Sequence, residues 1–239
     1  MSAAHGTATT RIGRQPSAPP DGGTWSADPY SHALRTGQGP LFLRRDDGWL
    51  LLLEVERWCA DADAVDLEVV RRCEDTVLDV GCGPGRLVAA LAARGRPALG
   101  IDVSEAAVAR TLGLGGQALH RSVFDPLPAE GRWGTALLMD GNVGIGGDPE
   151  ALLARMSQLL VPGGLLIAET APDPDIDERV QVHVMDTRGA VGRPFPWARI
   201  GTRALLRHAH RTGWRAADRW TTGGRHFVSL RTNTQPHRA

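Results

Sequence analysis

The chain has 239 residues, and its 27 basic and 27 acidic side chains cancel to a formal net charge of zero at neutral pH. A mass of 25.6 kDa suits one domain with attachments, large enough to bury a core without disulfide or metal staples. Charge balance leaves no basic excess for nucleic-acid phosphates, and every basic residue is arginine, which excludes lysine Schiff bases and a P-loop lysine.

Residues 1–27 are rich in Ser, Ala, Thr, Gly and Pro, have little to bury, and are expected to form a disordered tail. Residues 28–74 read as an N-terminal helical and hairpin cap. It starts with a short helix over 28–36, capped by Asp28 with Pro29 next. LFLRR, DDG and WLLLLEV then form a hairpin turning at Asp47-Gly48. From Ala62 to Cys73 the apolar residues keep a helical period.

From Thr76 onward the pattern alternates. TVLDV is a buried strand ending in GCGPG, and RLVAALAARG follows as a helix. PALGID is the next strand, and SEAAVARTLG a helix with Ser104 as its cap. QALHRSVF and TALLMD are two further strands. Asp148 caps a helix with Pro149 at its first position, PGG stops it, and LLIAET is a fifth strand. TRALLRHAHRTG is a last helix before two strands, WRAADRW and HFVSL. Strands alternating with helices mean βαβ units and a parallel sheet covered on both faces. Residues of about 172–197, with RVQVHVM and PFPW, break this rhythm and read as an inserted hairpin and loop.

Cys59, Cys73 and Cys82 form no CxxC pair, so neither a disulfide framework nor a metal site is indicated, and a reducing cytoplasm is expected. No apolar run reaches the length of a membrane span, and the first residues lack the apolar core of a secretory signal.

The chemistry concentrates in Val77-Leu78-Asp79-Val80-Gly81-Cys82-Gly83-Pro84-Gly85-Arg86. A glycine-rich turn joins strand to helix at the carboxyl edge of a parallel sheet, where such sheets bind ligands. The spacing is GxGxG rather than the dinucleotide GxGxxG, and Pro84 removes a backbone N–H near the helix start. Asp79 would repel a pyrophosphate and suit a cationic ammonium. Asp102 ends the next strand about twenty residues after Gly81, where an acid accepts ribose hydroxyls. A ribose, a cationic amino-acid end and no diphosphate are the profile of S-adenosylmethionine.

VLDVGCGPGR, LGIDVS, TALLMD and LLVPGGLLIAE, in this order, resemble the class I S-adenosylmethionine-dependent methyltransferases. The size and the arginine-only basicity resemble actinobacterial members. The resemblance implies a doubly wound, Rossmann-like α/β fold over 75–233, with a seven-stranded sheet, mostly parallel with one antiparallel strand. It implies that Asp79 orients the methionine ammonium, that the backbone of Gly81, Cys82, Gly83 and Gly85 packs the methionine, and that Asp102 binds the ribose. Val103 would lie against the adenine. Val123 and Phe124 stand where many members place an acid and a backbone N–H for the adenine, so that acid is missing unless Asp125 replaces it. Met139 and Asp140 would border the cofactor, with Asn142 and Trp197 on the acceptor side. The candidate bases are Asp140 and His183, whereas His208 and His210 sit on a helix away from the active edge. Met139-Asp140-Gly141-Asn142 departs from the [DN]PP[YFW] motif of nucleobase and glutamine methylases. The implied activity is methyl transfer to a small molecule by in-line displacement, with no nucleic-acid or membrane partner and an open oligomeric state. Two rivals stand beside it: an NAD-dependent oxidoreductase, and a module that binds the cofactor without transfer.

Overall fold

A computed structural model describes residues 29–232. The expected tail and the Asp28 cap lie outside the described residues. Seven strands form the main sheet: β3 (Val77–Val80), β4 (Ala98–Asp102), β5 (Ala118–His120), β6 (Trp133–Leu138), β7 (Leu160–Thr170), β10 (Arg215–Thr222) and β11 (Arg225–Arg231). Their order is β10-β11-β7-β6-β3-β4-β5. β3 pairs in parallel with β4 and β6, β4 with β5 and β6 with β7, while β11 runs antiparallel between β7 and β10. The sheet is thus mostly parallel with one reversed strand, as the resemblance implied.

Local chemistry sets the helices. α3 (Ala64–Arg72) starts in a capping box between Asp63 and Asp66. α4 (Arg86–Ala92) follows the glycine loop directly, and α5 (Glu105–Gly113) is capped by Ser104. α6 (Pro149–Leu159) has Asp148 accepting from the Glu150 and Ala151 N–H groups, with Pro149 where its missing N–H costs nothing. α7 (Thr202–Arg211) precedes the last two strands. β3 and β6 are buried along their whole length, as parallel strands covered on both faces must be. β5 is shorter than its sequence run, and β7 starts before PGG and bulges there, since Trp133 pairs Leu160 while Thr135 pairs Leu165.

The cap is built from two distant pieces. α1 (Pro29–Thr36) leads to the hairpin β1 (Leu41–Arg44) and β2 (Leu50–Leu53), then to α2 (Val55–Cys59). The interrupting segment supplies β8 (Asp177–Asp186) and β9 (Phe195–Ile200). All four strands join in a second sheet, ordered β2-β1-β8-β9, with Leu43 opposite Val184. Ala33, Leu41, Leu43, Val55, Val182 and Val184 close one small core between the pieces. Hydrogen-bond partners more than 130 residues apart leave no local sequence pattern, so this junction was not foreseen. No described helix is long and apolar enough to cross a membrane.

Leu41 is 1% exposed in this small core, so Leu41→Ala should destabilise the fold by about 2–5 kcal/mol. Limited proteolysis of the variant should open the β1–β2 and β8–β9 hairpins together. Cleavage confined to one hairpin would show that the two pieces are not one cooperative unit.

Candidate active site

The loop between β3 and α4 is held in a conformation that needs its glycines. Gly81, Gly83 and Gly85 have φ of +70°, +55° and +88°. A Cβ on Gly81 would lie 2.6 Å from the Asn142 amide nitrogen, and one on Gly85 2.4 Å from Thr111 Oγ1. At Gly83 the nearest atom would be the Tyr30 hydroxyl on α1, 3.8 Å away, so space remains between this glycine and the cap. Cys82 points inward, and its Sγ would stand 2.6 Å from a Cβ on Gly100, so the thiol fills the gap over that glycine. Burial, with Asp102 and Asp79 adding to it, pushes that thiol well above its ordinary range, which makes it filler and not a nucleophile.

Two carboxylates frame the loop. Asp102 ends β4, and its Oδ2 accepts the Gly83 N–H at 2.9 Å while Oδ1 accepts the Ser104 N–H at 2.8 Å. Burial pushes its carboxyl up to about 6, against the pull of these backbone bonds. Asp79 lies on β3, buried, facing Gly100 on one side and Leu137 on the other in the strand register. No hydrogen-bond donor among the described residues reaches its carboxylate, and burial pushes it up to about 7. Asn142 fixes the opposite rim, its amide donating to the Val80 and Gly81 carbonyls at 3.0 and 2.9 Å.

Beside this rim lies a buried network of three arginines and three carboxylates that sequence reasoning missed, Asp140 excepted. Arg86 donates from Nε to Asp66 at 2.8 Å and from Nη1 to Asp140 at 2.8 Å. Arg57 on α2 donates to Asp140 at 2.7 Å. Arg225 donates to Asp66 at 2.9 Å and to both oxygens of Glu169, at 2.8 and 2.7 Å. Glu169 in turn accepts the Asp140 N–H at 2.9 Å, and Asp140 has φ of +56°, a strained conformation for a residue with a side chain. Burial would raise the Asp140 carboxyl, but Arg86 and Arg57 outweigh it and hold it below the ordinary carboxylate range. One sequence signal was available for Glu169: an acid within the apolar run LLIAET, where an unpaired charge could not stay.

The structure therefore gathers Asp79, the Gly81–Gly85 loop, Asp102, Met139, Asp140 and Asn142 at one sheet edge. Val103 follows directly, its carbonyl taking His120 Nε2 at 2.9 Å. Val123 is buried, and Phe124 packs against Gly146, where a Cβ would meet its ring at 2.8 Å. Asp125 spends an oxygen on the Ser122 N–H, 3.1 Å away, within its own turn. Trp197 on β9 packs against Gly144 and bridges to Ile145, with Phe195 edge-on at 6.1 Å. His183 is not brought to this edge: its ring nitrogens face Asp46 and the Gly192 carbonyl, both at 3.2 Å, in the second sheet. His208 is buried between Glu150 and Asp177, joining α6, α7 and β8.

Residues 67–217 match a family profile described as a methyltransferase domain. Among solved structures, a S-adenosylmethionine-dependent methyltransferase from Bacteroides fragilis, in complex with S-adenosylhomocysteine, superposes with a TM-score of 0.71 at 19% identity, over 85% of this chain and 92% of that one. An amino-pentose methyltransferase of calicheamicin biosynthesis from Micromonospora echinaspora, bound to S-adenosylmethionine, gives 0.55 at 19% identity, over 73% and 92%. A sugar N-methyltransferase from Streptoalloteichus gives 0.53 at 17% identity, over 74% and 88%. Among curated proteins none matches the sequence.

Two predictions test this geometry. Arg86→Ala leaves Asp66 and Asp140 short of their principal buried partner, and should cost about 3–5 kcal/mol in urea denaturation. A loss below about 1 kcal/mol would show that the ion pairs carry no net weight. Asp79 and Asp102 titrate in the fold at about 7 and about 6, above the 3.8 of an ordinary aspartate. Between these values the folded protein keeps protons that the unfolded chain releases, so stability falls as pH rises from about 4 to about 7. Asp79→Asn should flatten that fall, and an unaltered slope in the variant would remove Asp79 from the balance.

Proposed function

Because the chain belongs to the methyltransferase domain family, matched over residues 67–217, we propose that it transfers the methyl group of S-adenosylmethionine to an amine on a small molecule. The observation that carries the cofactor is the pair of buried acids around an open glycine loop. Asp79 is a carboxylate with no donor among the described residues, as a receptor for an ammonium should be before its ligand arrives. Asp102 has two lone pairs left after its backbone bonds, enough for two ribose hydroxyls. A nicotinamide dinucleotide fits less well, since its pyrophosphate would meet Asp79 and the N–H that Pro84 lacks.

When bound, S-adenosylmethionine supplies an electrophilic methyl carbon with a good leaving group. What the chain adds is alignment and exclusion of water. Gly81, Cys82, Gly83 and Gly85 let the backbone approach the methionine portion, Val103, Val123 and Phe124 border the adenine, and Met139 closes the floor. Asn142 locks this rim to the strand that leads to the acceptor side, where Trp197 forms a wall. Asp140 is the acid best placed at the transfer point, yet arginines hold it ionised and engaged. That arrangement favours an acceptor whose lone pair is ready without a strong base, namely a neutral amine. The sugar N-methyltransferase among the similar structures supports the same preference. Three free cysteines fit a reducing cytoplasm.

Calorimetric titration with S-adenosylhomocysteine should show binding, and the same titration with NADH should show none. Asp102→Ala should weaken S-adenosylhomocysteine by about 1–3 kcal/mol through the lost ribose bonds. Unchanged affinity in the folded variant would sink the ribose assignment, and methyl label found on hydroxyl oxygens in treated extract would sink the amine.

A further inference from the structure

We propose that the outer face of the second sheet is a contact between two copies of this chain, related by a two-fold axis that runs along the strands. The ladder sets one row of side chains across that sheet. Leu52 on β2 lies opposite Phe42 on β1, Phe42 opposite Met185 on β8, and Met185 opposite Val191 in the segment before β9. Residues paired in this way share a face, and this row is apolar from end to end. It is turned away from the small core, which takes Leu41, Leu43, Val182 and Val184 from the alternate positions.

None of the four side chains joins a core cluster among the described residues. Leu52 is 56% exposed and Val191 48%, and Leu50, two residues along β2 on the same face, is also exposed. Single exposed apolar side chains are ordinary, but a contiguous row on a sheet face marks a contact surface. The ladder continues from Leu50 to Arg44 and His183, so polar groups bound the strip on that side, as they bound an interface.

Two features select a second copy as the occupant. The strip is complementary to itself: an axis along the strands reverses the row, so Leu52 of one copy meets Val191 of the other, and Phe42 meets Met185, a thioether against a ring. The two ends of the row also differ in charge. Glu54 follows β2 at the Leu52 end, its side chain 59% exposed beside Arg57. Arg188 and Arg193 flank Val191 at the other end, both exposed. The same axis sets each acid beside the arginines of the other copy, so charge and apolar contact favour one arrangement. Residues 1–28 offer only Met1, Ile12 and Trp25 as large apolar side chains, too few in a polar segment to cover the strip.

Sedimentation velocity of the full chain should show a monomer–dimer equilibrium with a Kd of about 1–100 μM, because the strip is smaller than a standard interface. Leu52→Glu alone and Val191→Arg alone should each weaken the dimer about tenfold or more, since each places an unpaired charge in the contact. The two together should restore it. These positions stand at opposite ends of the row, about 14 Å apart, too far to pair within one chain, so rescue reports pairing between copies. Both are exposed, and an unchanged near-ultraviolet circular dichroism spectrum checks that the variants keep the fold. A wild type that stays monomeric to about 500 μM, a dimer indifferent to Leu52→Glu, or single variants that the double does not rescue would each overturn the proposal. Met185 protected from hydroxyl-radical footprinting in a monomer would assign the face to residues 1–28 instead.

Discussion

Arg86 is the first residue of α4, and what it must bury decides how the rest of the edge is arranged. Its side chain is 4% exposed, between those of Asp66 at 1% and Asp140 at 12%. A charge at that depth is tolerable only when paired and hydrogen-bonded throughout. Arg86 is therefore a constraint on three elements at once. α3 must bring Asp66 into place, which its capping box does by fixing the Asp66 side chain toward the helix start. The chain after β6 must turn Asp140 inward, which it does through a left-handed backbone held by the Glu169 carboxylate. The glycine loop must deliver Arg86 itself, which requires Gly85 at a φ that a residue with a side chain resists.

The same network sets the electrostatics of the ligand edge. Within it the arginines hold Asp66 and Asp140 below the ordinary carboxylate range, against the push of burial. One strand away, Asp79 meets the same burial with weaker compensation: Arg86 lowers it, but Asp140, Asp102 and Asp66 push the other way. The result is two kinds of acid a few residues apart. Asp66 and Asp140 are committed to structure. Burial raises Asp79 to about 7 and Asp102 to about 6, so both gain from a cationic partner. An edge of this kind lowers its own energy when a ligand supplies positive charge.

How much of this could be read from the chain follows from the range of each interaction. The βαβ rhythm, the glycine loop, Asp79, Asp102 and the caps at Ser104 and Asp148 are local patterns, and they stood out. The long-range charge pairs did not. Arg225 and Asp66 are 159 residues apart, and nothing in GGRHF or DAVDL announces that they meet. Asp140 could be placed at the edge, but not its three arginine neighbours, so its readiness as a base looked greater than the geometry allows. His183 had only a residue type to recommend it, and its strand carries it into the second sheet. Phe124 and Trp197 were named from position alone, and their packing against Gly146 and Gly144 depends on a close approach that a sequence does not encode.

The second sheet raises a further point about how this edge comes into being. β1 and β2 are made early in the chain, β8 and β9 much later, and neither hairpin has a core without the other. A two-stranded hairpin is marginal in water, while four strands over a shared apolar face are not. Arg57 and Asp66 follow the first hairpin, and Trp197 belongs to the second. The cap side of the site, including the arginine that closes on Asp140, thus depends on long-range pairing. Closing such distant contacts has an entropic cost that local helices avoid. The register is tightly specified: a slip of a single residue in β8 would send Val182 and Val184 to the opposite face. The ionic network and the small apolar core meet at α2, which gives Arg57 to one and Val55 to the other. The small core holds α2 through Val55, while α3 packs through Val69 and Val70 under the main sheet, and the arginines bind carboxylates from both sides.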